Sequence, residues 1–386
     1  MITKNDMFRY YIYGYLNTRI ADSIDGKHKL KEKRIDYLKI YLNLTRYPKW
    51  LVSGVICCLV KLELALSVTL ELVQFLYCVC IKIFNSRKIL RNGKYYYGIK
   101  EQRLKTILKN AHIQPEQVTI ITSKTKYNKI FTDFKQIPLL RCISLLDVVK
   151  SFLYSIQTTC LMHKKYGKTD VLFRSYASFE FYMVCFCFSQ LDDSNEVIYT
   201  STYSRWGYLF GNLFIKTVFL QHGMLGNNLP YLIKAGCPTV GYFLNEEEKS
   251  NCCRQLFSAN PETHYLEGLK FTSNEKLMSN GKRNVLIVCN LIHFDKEAKL
   301  AKGLYDLNNY NIYLKPHPLD TYDRYMALSK EVPILILNKK DYPKVDLVVS
   351  YNSTLAIEYR DAGVKVIWHD EKTAQDIIKE VNRIRK

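Results

Sequence analysis

Hydrophobic positions divide the chain into three textures. Residues 1–49 are polar and charged, with a helix predicted around Lys29–Leu44. Trp50–Phe84 is the most apolar stretch of the protein. From about residue 95, short β-branched runs alternate with helix-like blocks. Runs at Val118–Thr122, Asp170–Arg174, Glu196–Thr200, Thr217–Leu220 and Val240–Leu244 read as strands, and Phe179–Leu191 and Arg205–Phe214 read as helices. A polar stretch, Leu266–Lys282, reads as a linker. Behind it, strands are predicted at Val285–Cys289, Asn311–Lys315, Ile334–Leu337, Asp346–Ser350 and Lys365–His369. Helices are predicted over 295–308, 321–330, 353–362 and 371–384. Such alternation predicts mostly parallel sheets with helices on both faces.

The apolar stretch needs its own reading. Leu64–Phe84 has the roughly 20-residue length of a membrane-spanning helix. It also carries Glu71 and Lys82, and Lys61 and Glu63 interrupt the run before it. An acid at the centre of a bilayer costs roughly 2.5–3.5 kcal/mol, so buried or interfacial helices are expected here rather than a span. The N-terminus shows no secretory signal pattern.

The 386 residues suffice for two domains at roughly 100–200 residues each. The expected organisation is a helical, membrane-associated region at 1–94, an α/β domain at 95–270 and a second at 283–386. Lys and Arg outnumber Asp and Glu by 56 to 36, a net charge of +20. A surface this basic favours polyanions. Eight of the basic residues lie between Arg87 and Lys109, directly after the apolar stretch, which points to anionic lipid. No nucleic-acid-binding motif is present, so nucleic acid is not expected as a partner. The twelve cysteines sit largely within apolar runs and lack metal-binding spacing, as in a reducing cytosol.

Ligands of open α/β sheets bind at the carboxyl ends of strands, so polar residues just after strands are the candidates. In Lys315-Pro316-His317-Pro318 two prolines stiffen the backbone around a histidine, which can meet a phosphate oxygen or act as acid. Lys315 adds charge, and Pro318 helps fix the loop. In Ser350-Tyr351-Asn352-Ser353-Thr354, a strand end leads into a helix start. Its unpaired N–H groups and two hydroxyls form an anion site. Glu358, one turn on, can accept from ribose hydroxyls. The structural alternative is helix capping by Ser350 or Ser353. In Gln221-His222-Gly223, a third strand end places His222 to act as base on an acceptor hydroxyl, with Gln221 and Gly223 shaping the acceptor side. Arg205 can meet an acidic acceptor sugar, with capping by Ser204 as the competing role.

No dinucleotide or P-loop glycine motif follows any predicted strand, and no metal motif is present. Neither a cofactor nor a metal ion is expected. The His-Pro pair followed by a hydroxyl pair resembles the bacterial sialyltransferase and polysialyltransferase families. It is also similar to capsule and lipopolysaccharide transferases that use CMP-linked sugars, and to teichoic-acid polymerases that use CDP-glycerol. Gln221-His222-Gly223 and Tyr203-Ser204-Arg205-Trp206 are similar to capsule transferases of this group. The likeness spans roughly 196–370. It implies a metal-independent GT-B enzyme, with two Rossmann-like domains facing a cleft and the donor phosphate met by His317, Ser353 and Thr354. Two features depart from the pattern. No acidic Asp/Glu-Asp/Glu-Gly motif follows a strand, and the hydroxyl pair is Ser-Thr rather than Ser-Ser. The implied partners are a nucleotide-sugar donor and a glycan or lipid-linked glycan acceptor, with the protein cytoplasmic at the inner face of the membrane. The competing functions are a CDP-polyol phosphotransferase, a nucleotide-sugar epimerase and a non-catalytic basic membrane-binding protein.

Overall fold

The computed structural model describes residues 2–24, 63–97, 104–122, 133–166, 176–202, 204–223, 225, 233–268, 271–272, 278, 280–290, 293–317, 320, 322–338, 341–351, 353–369 and 372–384. The helix predicted around 29–44, the apolar residues 50–62 and the strand predicted at 170–174 lie outside them. The chain forms two compact units. One comprises the residues up to Gln221 together with Leu225–Leu266. The other runs from Glu267 onward and takes in His222 and Gly223.

The first unit holds seven strands: β1 (Lys94–Tyr97), β2 (Val118–Thr122), β3 (Lys135–Pro138), β4 (Glu196–Tyr199), β5 (Lys216–Leu220), β6 (Val240–Phe243) and β7 (Glu262–Tyr265). They run parallel in the order β3-β2-β1-β4-β5-β6-β7. All five residues of β2 are buried, because a sheet covered on both faces favours a continuous apolar strand over an alternating one. The strand order reverses between β1 and β4, the kind of point at which such sheets bind ligands.

Its described helices are α1 (Lys4–Ile24), α2 (Glu63–Ile83), α3 (Leu104–Asn110), α4 (Leu139–Cys142), α5 (Leu145–Tyr166), α6 (Tyr176–Phe188), α7 (Arg205–Phe210) and α8 (Glu246–Gln255). Where described, residues 1–94 are not a region apart. Met7, Tyr11, Tyr15 and Cys78 lie in one core with Tyr95 and Phe179. Met7, Tyr11 and Tyr15 recur every fourth position and so share one helix face. Gly14 allows the close approach of α1 to the start of α7, since a Cβ there would stand 2.2 Å from the Arg205 backbone nitrogen.

Glu71 points into this unit. One of its carboxylate oxygens accepts from Thr159 Oγ1 at 2.9 Å and from Ser178 Oγ at 3.3 Å. Burial raises its pKa above the ordinary value, and the hydroxyl donors pull it partly back. An acid whose folded pKa is raised loses folded-state stability as pH climbs from its unfolded value toward the folded one. Glu71→Gln keeps an acceptor for the hydroxyls and removes the titration. The variant is therefore expected to melt above the wild type at pH 8, with the difference shrinking toward pH 5. A pH-independent difference in thermal melts would contradict this.

The second unit holds β8 (Arg283–Val288), β9 (Tyr310–Lys315), β10 (Ile334–Ile336), β11 (Leu347–Ser350) and β12 (Lys365–Trp368), parallel in the order β10-β9-β8-β11-β12. Alternate residues feed two cores. Ile287 and Leu314 pack with Leu300 and Ile377 on one face, while Leu286 and Tyr313 pack with Val348 and Tyr359 on the other. Helices α9 (Phe294–Asp306), α10 (Asp323–Glu331), α11 (Thr354–Asp361) and α12 (Ala374–Arg383) complete it. Gly363, at φ +84°, follows α11 in the left-handed conformation that ends many helices. The expected α/β class with two doubly wound parallel sheets is present.

Candidate functional site

The carboxyl edge of the second sheet gathers most of the expected residues. β8 lies between β9 and β11, and Val288 pairs in register with both Lys315 and Ser350. Those two residues are therefore level, two strand spacings or about 10 Å apart. Just beyond them stand His317 on one side and Ser353 and Thr354 on the other, all half-buried. Ser353 is the N-cap residue of α11, with extended backbone (φ −126°, ψ 131°) and no capping bond from its side chain. The first N–H groups of a helix have no partner within it, and the helix dipole makes that end positive. Here Ser353 and Thr354 add two hydroxyls beside those groups. Glu358, half-buried, lies one turn further in. The His317 carbonyl accepts the Asp320 N–H at 2.9 Å, which folds the loop back after β9. Pro318 lies outside the described residues.

Four expected residues have other work. Ser350 is fully buried, and its hydroxyl donates to the Val288 carbonyl at 3.3 Å, so it ties β11 to β8 and caps no helix. Lys315 is buried as well. Its ammonium donates to the Asn338 carbonyl and, at 2.8 Å, to that of Asp341, and sits 4.3 Å over the Tyr342 ring. That holds the chain after β10. Gln221 is fully buried: its side-chain oxygen accepts the Leu244 N–H at 3.2 Å, and its amide donates to Glu248 Oε2 at 2.5 Å. Arg205 lies over Trp206 (4.8 Å) and Tyr11 (5.8 Å), and its Nε is buried without a hydrogen bond among the described residues. Ser204 does cap α7, accepting from the Trp206 N–H at 3.3 Å.

His222 is exposed. The segment around it is braced by the buried Glu248, whose Oε2 also accepts the Leu225 N–H at 2.9 Å. Gly223 shares a unit with α11, and a Cβ placed on it would stand 3.7 Å from Thr354 Oγ1. Within that unit, Gly223 and the start of α11 are thus neighbours.

Sequence patterns missed two groups. At the switch point of the second sheet, the His293 and Tyr351 rings lie 4.1 Å apart, and His369 packs against both. Behind them Glu297 Oε1 accepts the Asn290 N–H at 2.8 Å and stands 3.7 Å from His369 Nε2. Glu297 Oε2 and both His369 ring nitrogens are buried without a hydrogen bond among the described residues. The available signal was positional, since Asn290 and His293 follow β8, the strand at the reversal. In the first unit the Tyr97 hydroxyl, at the end of β1, donates to Glu180 Oε1 at 2.8 Å. Burial and the Glu180 carboxylate hold its pKa well above the ordinary value, against the pull of Arg205. Tyr97 is thus a neutral donor at that edge.

Among the described residues no group of three or more His, Cys, Asp or Glu side chains is arranged to hold a metal ion. No protein-family model matches the chain, and no curated protein matches it. Among solved structures it is similar to MurG of Acinetobacter baumannii, with 10% identity, 76% of this chain and 91% of that chain covered, and a TM-score of 0.40. It is similar to the same degree, over the same shares, to UDP-GlcNAc 2-epimerase from Neisseria meningitidis bound to UDP-GlcNAc. The glycosyltransferase SnogD from Streptomyces nogalater shares 11% identity over 72% of this chain and 82% of that chain, with a TM-score of 0.38. At such identities none of their residues is carried over to this chain.

Proposed function

We propose that the protein is a glycosyltransferase that moves a sugar from a nucleotide-sugar donor, a CMP-sugar by preference, to a capsule or lipopolysaccharide acceptor at the cytoplasmic face of the membrane. The observation that supports this most is the start of α11. A helix N-terminus whose N-cap hydroxyl makes no capping bond stands beyond a strand end level with that of His317. Such an arrangement suits a phosphoryl group, with helix amides and two hydroxyls on one side and an imidazole on the other.

In this reading the bond between the sugar's anomeric carbon and the phosphate oxygen breaks, and negative charge collects on the departing nucleotide. His317 donates to that oxygen, and the first amides of α11 with the Ser353 and Thr354 hydroxyls stabilise the charge. The acceptor hydroxyl forms the new bond to the anomeric carbon and gives its proton to His222. Glu358 accepts from the ribose. Gln221 and Glu248 contact no substrate and instead set the path of the chain at His222.

The test is nucleotide release by purified protein from a panel of CMP-, CDP-, UDP- and GDP-sugars and CDP-glycerol, with and without a glycan acceptor. Acceptor-dependent release of CMP is expected. Release from no donor would remove the proposal. Labelled phosphate entering the product would favour a phosphotransferase, and conversion of the donor without acceptor an epimerase.

A further inference from the structure

Helix α2 is built inside out. Its inward face carries Ser67, Glu71, Cys78 and Lys82, all buried. Its outward face carries Val73 (58% exposed), Leu76 (53%), Tyr77 and Ile83 (65%). A surface helix of a water-soluble domain shows the opposite pattern. The partner helices match the inversion. On α5, Ser151, Ser155, Thr158 and Thr159 turn inward, while Leu146, Leu153 and Leu161 turn outward. Behind α2, the ring of Phe75 packs on Phe152 and Phe179, and a set of hydroxyls joins α2, α5 and α6 beside it. Ser155 Oγ and Ser178 Oγ are 2.9 Å apart, Thr158 Oγ1 and the Tyr182 hydroxyl 2.5 Å, and both Thr159 and Ser178 donate to Glu71. Small and hydroxylated residues holding helices together behind an apolar exterior are the habit of helices in lipid. The Glu71 charge that argued against lipid contact is turned away from it.

The end of this face is basic. Beyond Ile83 come Phe84 (87% exposed) and Ile89 (62%), interleaved with the exposed Arg87, Lys88 and Arg91. The Lys88 N–H donates to the Arg141 carbonyl at 2.6 Å, just before α5, so Leu145 and Leu146 stand at the same end. Among the described residues, Leu64–Ile83 is the one helix long and apolar enough to cross a membrane by length and composition. Yet its inner face is packed on α5 and α6, and α5 carries the exposed Lys150 and Lys164 on the outward side. Charges along the same face suit a helix pair lying in the interface, with the basic side chains among the headgroups.

We infer that the outward face of α2 and α5, with the Phe84–Arg91 segment, docks in the plane of an anionic lipid bilayer. The apolar side chains enter the acyl boundary, and Arg87, Lys88 and Arg91 meet lipid phosphates. This inference does not depend on the glycosyltransferase reading, because it concerns a different face and a different readout.

Flotation of the full chain with lipid vesicles tests it. Wild type is expected to float with phosphatidylcholine vesicles containing phosphatidylglycerol, and poorly with phosphatidylcholine alone. Val73→Glu with Leu76→Glu removes binding to both. Arg87→Glu, Lys88→Glu and Arg91→Glu together lower binding to the anionic vesicles by roughly a hundredfold, at about fivefold for each of the three basic contacts. All these positions are exposed, so thermal melts of the variants stay near wild type and separate lost binding from lost folding. Equal binding by wild type and both variants would overturn the inference. So would a wild type that is dimeric in light scattering, monomeric as Val73→Glu/Leu76→Glu, and bound to no vesicle, because a second copy would then cover the face. Protease accessibility on both sides of sealed vesicles would replace in-plane docking with a span.

Discussion

His317→Ala is expected to lower acceptor-dependent nucleotide release by two to three orders of magnitude. The side chain follows β9 on a loop fixed by the buried Pro316 and folded back by the bond from the Asp320 N–H to the His317 carbonyl. In the proposed mechanism a donor so placed acts mainly in the transition state. Removing one preorganised donor from a site of developing negative charge typically costs about 10²–10³ in turnover. Because the α11 amides and two hydroxyls remain, nucleotide affinity is expected to fall far less than turnover does. His317→Gln, which keeps a donor, is expected to recover part of the loss. Steady-state kinetics with the preferred donor read both quantities. Unchanged turnover in His317→Ala would remove the residue from the mechanism.

Glu248→Ala is expected to give the largest loss of stability among the substitutions considered. The carboxylate is almost fully buried and accepts from the Gln221 amide, the Leu225 N–H and, at 3.4 Å, Asn251 Nδ2. Truncation leaves at least two buried donors without an acceptor. Each costs about 1–3 kcal/mol, so a loss of about 3 kcal/mol or more follows. For a protein of 386 residues that lowers the melting temperature by about 4 °C or more. Gln221 adjoins His222, so kcat is expected to fall even at temperatures where the variant is folded. Glu248→Gln, which keeps one acceptor oxygen, is expected to fall between wild type and alanine on both measures. A melting temperature within 1 °C of wild type would show that the bonds carry little weight.

The second sheet was legible in the sequence almost strand by strand, because strands buried on both faces are short unbroken apolar runs set off by polar turns. Each predicted strand there occurs within two residues of its expected bounds. The first unit was harder to read. β1 is Lys-Tyr-Tyr-Tyr, whose rings suit a strand or a helix, and the exposed edge strand β7 carries Glu262 and His264. Helix α1 hides its apolar stripe among tyrosines in a segment that is polar on average. In the site, position after a strand was a sound guide to place but not to role. Ser350 and Lys315 end strands as expected, yet β-sheet register and a cluster of backbone carbonyls engage their polar atoms. Gln221 likewise turns inward because Glu248, distant in sequence, offers it a buried partner. Glu71 shows the same limit, since composition records a charge in an apolar run but not the side toward which it points.

In the proposed mechanism one phosphoryl group is held by His317 and the start of α11. A crystal structure of the protein with its preferred nucleotide bound tests it most directly. Phosphate oxygens are expected within hydrogen-bond distance of the His317 imidazole and of the Ser353 or Thr354 hydroxyl and backbone N–H. A nucleotide seated elsewhere, with both groups untouched, would contradict it.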